Sequence, residues 1–554
     1  MKATTLVVAC ALFACAAHAQ SPSTLTAAAV DPIFAAWSKP GSPGVAVTVT
    51  EHGAISFSKG YGSAQLEFGI PITDQTVFHS ASISKQFTAL AILLLEQDGK
   101  LSLDATIDKY LDWAPRTQQP ITVRQLILHT SGLRDMTELL LLAGWRDGDV
   151  VTQQQVRYLV SRQKELNFAP GTRHDYSNTG YFLLAEIVAA VSGRSLREFA
   201  EARIFQPLGM SHTHFHDDPT LLVANRAASY ETGPDGRIRA ALLNYATVGS
   251  TGLLTTSRDL ALWLDNFRTA RVGGRALIDR MMQPGALSDG SPIDYGFGLT
   301  VAGLGGRKVL WHGGLDAGFR AIVAWFPDSE TGVVLLSNFA DIVPATPLTQ
   351  LAGLLFPTDA PAMPAPAASP PLPKPPARYA TFAGDYLTAM GASLRIKSDH
   401  GALSMQFQGR WHALTAIAPN EFVAPAANVQ LKFPAAGAVD EVQFIYVGHA
   451  LKARRVERIV SPPTATLAAL AGLYFSPELD TYYTIDFDPA SARLALHGGR
   501  IGSLPLEYFE PDLFVSETFQ QIRFVRNGDG AVVALRIALG RVPDGVEFRR
   551  MAGT

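Results

Sequence analysis

A chain of 554 residues is too long for one hydrophobic core, because cores stop growing at about 250 to 300 residues and longer chains divide into domains. Its 47% apolar and 17% charged content excludes a mainly disordered polymer. A formal net charge of −3 is too weak a balance to point to nucleic acid or an anionic membrane surface, which leaves a small molecule or a peptide as the expected partner.

Residues 1–19 carry Lys2, an apolar stretch from Leu6 to Ala17 and the small-x-small triplet Ala17-His18-Ala19. This pattern predicts a cleaved secretory signal and a periplasmic or secreted protein. Both cysteines, Cys10 and Cys15, fall inside it, so the mature chain is expected to have neither a disulfide nor thiol chemistry. Leu12-Phe13-Ala14-Cys15 offers a second reading, lipidation at Cys15, for which Phe13 is a poor residue. No later stretch has the ~18 uninterrupted apolar residues needed for a membrane span.

From residue 20 to 356 the pattern is mixed α/β. Strand-like pieces at Gly44 to Glu51 and Val333 to Ser337 bracket helical runs such as Phe87 to Glu96 and Tyr181 to Val191, in which apolar residues recur every three or four positions. Ser82-Ile83-Ser84-Lys85 opens the first of these runs. A spacing of three brings Ser82 and Lys85 to one helical face, the helix start adds positive potential beside the serine, and a lysine withdrawn from water loses basicity until it can serve as a neutral base. Alone, this tetrad would read as a capped helix start.

Tyr176-Ser177-Asn178 follows the turn signal Phe168-Ala169-Pro170-Gly171. In an extended loop, positions 176 and 178 point the same way, so a phenol able to pass a proton and an amide able to hold a substrate can share one cleft. An ordinary loop with a packed tyrosine is the plain alternative. His212, His214 and His216 alternate ahead of Asp217 and Asp218, which on a strand would place three imidazoles on one side. Their place in a surface connection argues against a metal, and no cofactor is expected. His312-Gly313-Gly314 lies on a predicted strand just before Leu315. The paired glycines let a substrate backbone lie along the strand edge, and a neighbouring N–H can serve as half of an oxyanion hole. A strand-end turn would look the same in isolation.

Prolines crowd residues 357–378, a composition that stays extended and forms no core. Beyond this linker the chain becomes short alternating stretches, among them Ser393 to Ile396, Ala402 to Phe407, Tyr482 to Phe487 and Ala531 to Ile537. Phe382-Ala383-Gly384-Asp385-Tyr386 recurs 88 residues later as Leu470-Ala471-Gly472-Leu473-Tyr474, and Arg410 with Arg500, Leu414 with Leu504, Phe422-Val423 with Phe514-Val515 and Phe433 with Phe524 follow in order. Ordered matches across a whole unit indicate duplication, giving two all-β domains over 379–460 and 464–552.

In order, the three motifs resemble those of the serine β-lactamases, penicillin-binding proteins and their esterase and D-aminopeptidase relatives. The likeness extends to Gly60-Tyr61-Gly62, Ile121-Thr122-Val123-Arg124-Gln125-Leu126, His129-Thr130-Ser131-Gly132-Leu133, Pro207-Leu208-Gly209-Met210 and Leu336-Ser337-Asn338, and covers roughly residues 30 to 355. It implies an antiparallel sheet flanked by helices, followed by two barrel-like domains. By the same resemblance Ser82 is the nucleophile, Lys85 and Tyr176 share the acid and base work, Asn178 contacts substrate, and the N–H groups of Ser82 and Leu315 form the oxyanion hole. Members that hydrolyse β-lactams begin the third motif with Lys, followed by Thr or Ser and Gly. His312-Gly313-Gly314 instead looks like the esterase and D-aminopeptidase branches, in which a loop from a C-terminal barrel reaches the cleft. Two readings follow: an acyl-enzyme hydrolase of amides, peptides or esters, with β-lactams ranked after these, or a non-catalytic cell-wall binding protein on the same fold. The retention of Ser82, Lys85, Tyr176 and Asn178 favours the enzyme.

Overall fold

Val45, Val47 and Val49 point into one apolar cluster and Ala46 into another, so a single strand separates two cores. This is the plan of the catalytic region in the computed structural model. It describes residues 25–357 and 378–552 apart from 40, 147, 234, 389–392, 400, 408–409, 425–428, 447–448, 457–461, 517 and 520. The expected leader over 1–19, with Cys10 and Cys15, and nearly all of the expected linker lie outside the described residues.

Strands β1 (Val45–Glu51), β2 (Ala54–Tyr61), β3 (Thr300–Leu304), β4 (Arg307–Asp316), β5 (Phe319–Phe326) and β6 (Thr331–Ser337) form one antiparallel sheet in the order β3-β4-β5-β6-β1-β2. The first and last strands of the region pair inside the sheet, with Val45 opposite Ser337 and Glu51 opposite Thr331. Helix α1 (Ala27–Phe34) and the helix Ala345–Leu355 cover one face through Val30, Phe34, Leu348 and Leu351.

The other face packs against the helix Ser257–Thr269, whose Trp263 lies on Phe87 of α2 (Ser84–Gln97), and the same core takes in α3 (Met136–Leu142) and α4 (Asn178–Ser192). Ser84 through Leu95 of α2 are all buried. A helix that is apolar nearly all round belongs at the centre of a domain, and each fully buried leucine or isoleucine there contributes about 1.5–3 kcal/mol of transfer free energy.

Beyond the linker, two eight-stranded closed barrels span Gly384–Val456 and Gly472–Arg550. Closure removes the edges on which foreign strands could pair. The repeat seen in the sequence returns as repeated bonds. Tyr386 Oη donates to the Phe382 carbonyl and Tyr474 Oη to that of Leu470, each at 2.8 Å, while Arg455 and Arg550 donate to Ala383 and Ala471, each at 2.6 Å.

The barrels are not equivalent in placement. The first has its own core around Phe382, Phe422 and Phe433, and meets the second through Leu387, Val456, Phe509, Leu513 and Val515 and through the ion pairs Arg395–Glu507 and Arg454–Glu510. The core of the second barrel is continuous with that of the catalytic region. Tyr483 Oη donates to the Leu142 carbonyl at the end of α3 at 3.0 Å.

Candidate active site

Ser82 lies in a short 3₁₀ turn, Ala81–Ile83, immediately ahead of α2. The turn is held from both sides: Ser80 N–H donates to the Leu253 carbonyl at 2.9 Å, and Ser84 Oγ accepts from Leu253 N–H at 3.1 Å. Ala81 has φ +50°, a left-handed conformation that costs a residue with a Cβ about 1–2 kcal/mol. His129 (φ +56°) and Ala317 (φ +44°), both close to the same site, share this feature, and such strain gathers where surrounding structure holds catalytic groups in place.

Lys85 is fully buried. Its Nζ stands 3.1 Å from Ser82 Oγ, 2.8 Å from Asn178 Oδ1 and 2.8 Å from the Ser250 carbonyl. Burial drives its pKa well below the ordinary value; Asp135 and Asp316 act to raise it, whereas Arg541 lowers it further. In the neutral amine, two N–H groups serve Asn178 and Ser250, and the remaining lone pair faces the Ser82 hydroxyl.

Tyr176 brings its ring to 4.7 Å from Lys85 Nζ and its phenol within hydrogen-bonding reach of Ser82. Burial pushes that phenol above its usual value, against the opposing pull of Ser82. Burial thus favours the protonated phenol at Tyr176. Asn178 is the first residue of α4 rather than part of an extended loop, and its Oδ1 is engaged with Lys85.

His312 sits on β4, buried, with Nε2 3.1 Å from Tyr295 Oη and Nδ1 2.6 Å from the Gly313 carbonyl. Burial, then the proximity of Lys85, pushes it down to about 3, so it presents no cation. The two glycines differ. A Cβ on Gly314 would meet the Ser80 carbonyl at 2.2 Å, whereas at Gly313 nothing comes closer than 3.6 Å. Gly314 thus lets β4 cross directly over the turn that bears Ser82. Leu315 follows with an exposed side chain.

A family model for Beta-lactamase matches residues 29–355, more than half of the chain. The chain belongs to the Beta-lactamase family. A D-aminopeptidase of Gluconobacter oxydans is 29% identical over 442 residues, covering 79% of this chain and 80% of its own. One from Brucella canis is 30% identical over 297 residues, 54% of this chain and 56% of that one. Among solved structures, the octameric penicillin-binding protein homologue of Pyrococcus abyssi has the same fold, with a TM-score of 0.54, 23% identity and coverage of 74% of this chain and 96% of that one. This member of the Beta-lactamase family is a serine hydrolase.

Within this family member, several groups around Lys85 had no separate signal in the sequence. His129 stacks on Tyr176 with centroids 4.2 Å apart and accepts from Ser177 N–H at Nδ1, 3.1 Å away. Asp135 accepts from Asn178 N–H at 2.5 Å, and Arg541, from the second barrel, lies 3.3 Å from Asp135. His129 was visible as part of a family segment and Asp135 stands six positions later, but nothing local marks Arg541.

The three histidines near residue 214 do not converge. The ring of His212 sits 3.9 Å from Asp259, whereas those of His214 and His216 meet edge to face. Among the described residues, no group of three His, Cys, Asp or Glu side chains is arranged to hold a metal.

Proposed function

We propose that this protein is an exported hydrolase that cleaves an amide or peptide bond through a covalent ester on Ser82, with substrates carrying a D-residue at the acyl side. The observation that carries this reading is Lys85 Nζ, buried and 3.1 Å from Ser82 Oγ, with its other two directions occupied by acceptors. Lys85 takes the Ser82 proton as Oγ attacks the carbonyl carbon, a general-base contribution of about 10²- to 10⁴-fold. The N–H groups of Ser82 and Leu315 receive the developing oxyanion. Tyr176 gives its proton to the departing amine and is reprotonated by the Lys85 ammonium beside it; water then releases the acyl group by the same steps in reverse.

Preference for amides over β-lactams rests on His312. A neutral, hydrogen-bonded imidazole gives no fixed charge for an antibiotic carboxylate. Preference for D-residues rests on the likeness to D-aminopeptidases across both the catalytic region and part of the barrels; short esters rank next. Export rests on residues 1–19, and intact mass of the mature chain, expected to begin at Gln20, tests it.

The central test is labelling of the purified full chain with a fluorophosphonate, together with rates on D- and L-aminoacyl anilides, short esters and a chromogenic cephalosporin. Label should map to Ser82, Ser82→Ala should remove label and turnover, and D-aminoacyl anilides should be preferred. An adduct elsewhere, or turnover surviving in Ser82→Ala, overturns the assignment.

A further inference from the structure

The turn joining the last two strands of the second barrel, Val532–Leu539 and Val542–Arg550, presses into the catalytic region. Gly540 lies so close that a Cβ there would meet Glu138 Oε1 at 2.8 Å, and the Arg541 carbonyl accepts from Asn167 Nδ2 at 2.8 Å. The Arg541 side chain is thereby delivered to two acids, the buried Asp135 and the partly buried Glu138. Its Nε donates to Glu138 Oε1 at 3.1 Å, while Nη2 lies 3.1 Å from Thr137 Oγ1 and 3.3 Å from Asp135 Oδ1. The guanidinium also stands 5.8 Å from the Tyr176 ring centroid.

Asp135 is fully buried and begins the helix α3 by accepting from Thr137 N–H. Its other oxygen accepts from the Asn178 N–H at the start of α4, whose side chain accepts from Lys85. A continuous path therefore runs from the barrel to the serine, through Arg541, Asp135, Asn178, Lys85 and Ser82. Barrel residues that served only to attach the domain would have no need to end on this path, and the Arg134–Glu478 contact already provides attachment.

We propose that Arg541 is a positioning residue of the catalytic centre, supplied by the second barrel to hold Asp135 and Asn178 and to set the field at Lys85, so that the reactive site is assembled across a domain boundary. This rests on the reading of Ser82 and Lys85 given above. The charged and titratable groups facing Lys85 are Asp135 from the start of α3, Arg541 from the barrel, Asp316 at the end of β4, His312 on β4, His129, and the phenols of Tyr176 and Tyr181. Asp135 and Asp316 favour the ammonium, and Arg541 opposes it. The Arg541 guanidinium also faces Glu138 and Asp175.

The experiment measures the rate of fluorophosphonate labelling of Ser82 in the full chain across pH, per folded molecule as judged by thermal unfolding. Removing a nearby cation lets Lys85 hold its proton to higher pH. Arg541→Ala should therefore move the acid limb upward by about one pH unit, which is about tenfold slower labelling on that limb. Arg541→Lys retains the cation and should leave the limb with the wild type, whereas Asp135→Asn should move it the opposite way. A role confined to attachment would lower the yield of folded protein without moving the limb. An unmoved limb in folded Arg541→Ala overturns the inference. If that variant does not fold, Arg541→Lys and Asp135→Asn decide it, and displacement in the wrong direction, or none in Asp135→Asn, overturns it. Wild-type protein that takes no label on Ser82 overturns the underlying reading itself, an outcome distinct from the others.

Discussion

Arg134 Nη1 holds both carboxylate oxygens of Glu478, at 2.7 and 2.8 Å, with only 1% of the arginine side chain exposed. One residue belongs to the catalytic region and the other to the second barrel, and Arg134 Nη2 adds Glu165 and the Gly545 carbonyl to the contact. Removing one partner of a buried pair leaves the other charge uncompensated. Glu478→Gln should therefore destabilise the full chain by about 3 kcal/mol, read as a lower midpoint in urea unfolding; an unchanged midpoint would show that Glu165 alone suffices.

Lys85→Arg keeps a positive charge but cannot yield a base, because a guanidinium does not deprotonate in a protein. Turnover should fall by about two to four orders of magnitude, with the Ser82 label forming correspondingly slowly. Near-native rates in this variant would mean that Lys85 acts only through its charge.

Acid should weaken the fold well above the range in which carboxylates protonate. Burial pushes His312 from 6.5 down to about 3 and His216 from 6.5 down to about 4, and it depresses His129 as well. These imidazoles stay neutral in the folded chain at pH values where the unfolded chain protonates them, so stability present above about pH 6.5 is lost as pH falls through the folded values. Glu138 acts oppositely, since burial and then Asp135 raise its carboxyl, but Lys85, which burial also depresses, acts in the same sense as the three imidazoles. Urea unfolding should show the chain less stable at pH 5 than at pH 7, and His312→Gln should flatten that dependence. Equal stability at the two values would contradict the buried, neutral state of these rings.

Truncation after Pro357 should fail to give a folded monomer. It removes Glu478 and Gly545 from Arg134, Arg541 from Asp135 and Glu138, and the Tyr483 bond from Leu142, and it uncovers the apolar surface that the second barrel shares with the catalytic core. Size-exclusion chromatography and circular dichroism check this. A soluble truncation that labels at Ser82 like the full chain would make both barrels detachable modules.

Much of this molecule was determined by local sequence. The apolar run Phe87 to Leu95 predicts a buried helix, and α2 is one, because a segment that is apolar on all sides has no face to give to water. The spacing of Ser82 and Lys85 placed them together for a similarly local reason, since three residues make close to one turn. The order of motifs from Ser82 to His312 and the 88-residue recurrence of the Phe382 segment, later seen as matched tyrosine and arginine bonds, were likewise legible in the chain itself.

Only the tertiary structure decided that Asn178 begins a helix and holds Lys85, and that Tyr176 and His312 come together in a buried site beside Lys85. Each of these depends on burial and on partners remote in sequence, to which periodicity and spacing are blind. The same is true of the barrels. Composition divided them from the catalytic region at a proline-rich linker, yet the second barrel, the farther one along the chain, shares the catalytic core and places Arg541 beside Asp135. An arginine in a turn between two strands carries no mark of its destination, because that contact is made by the docking of two finished surfaces.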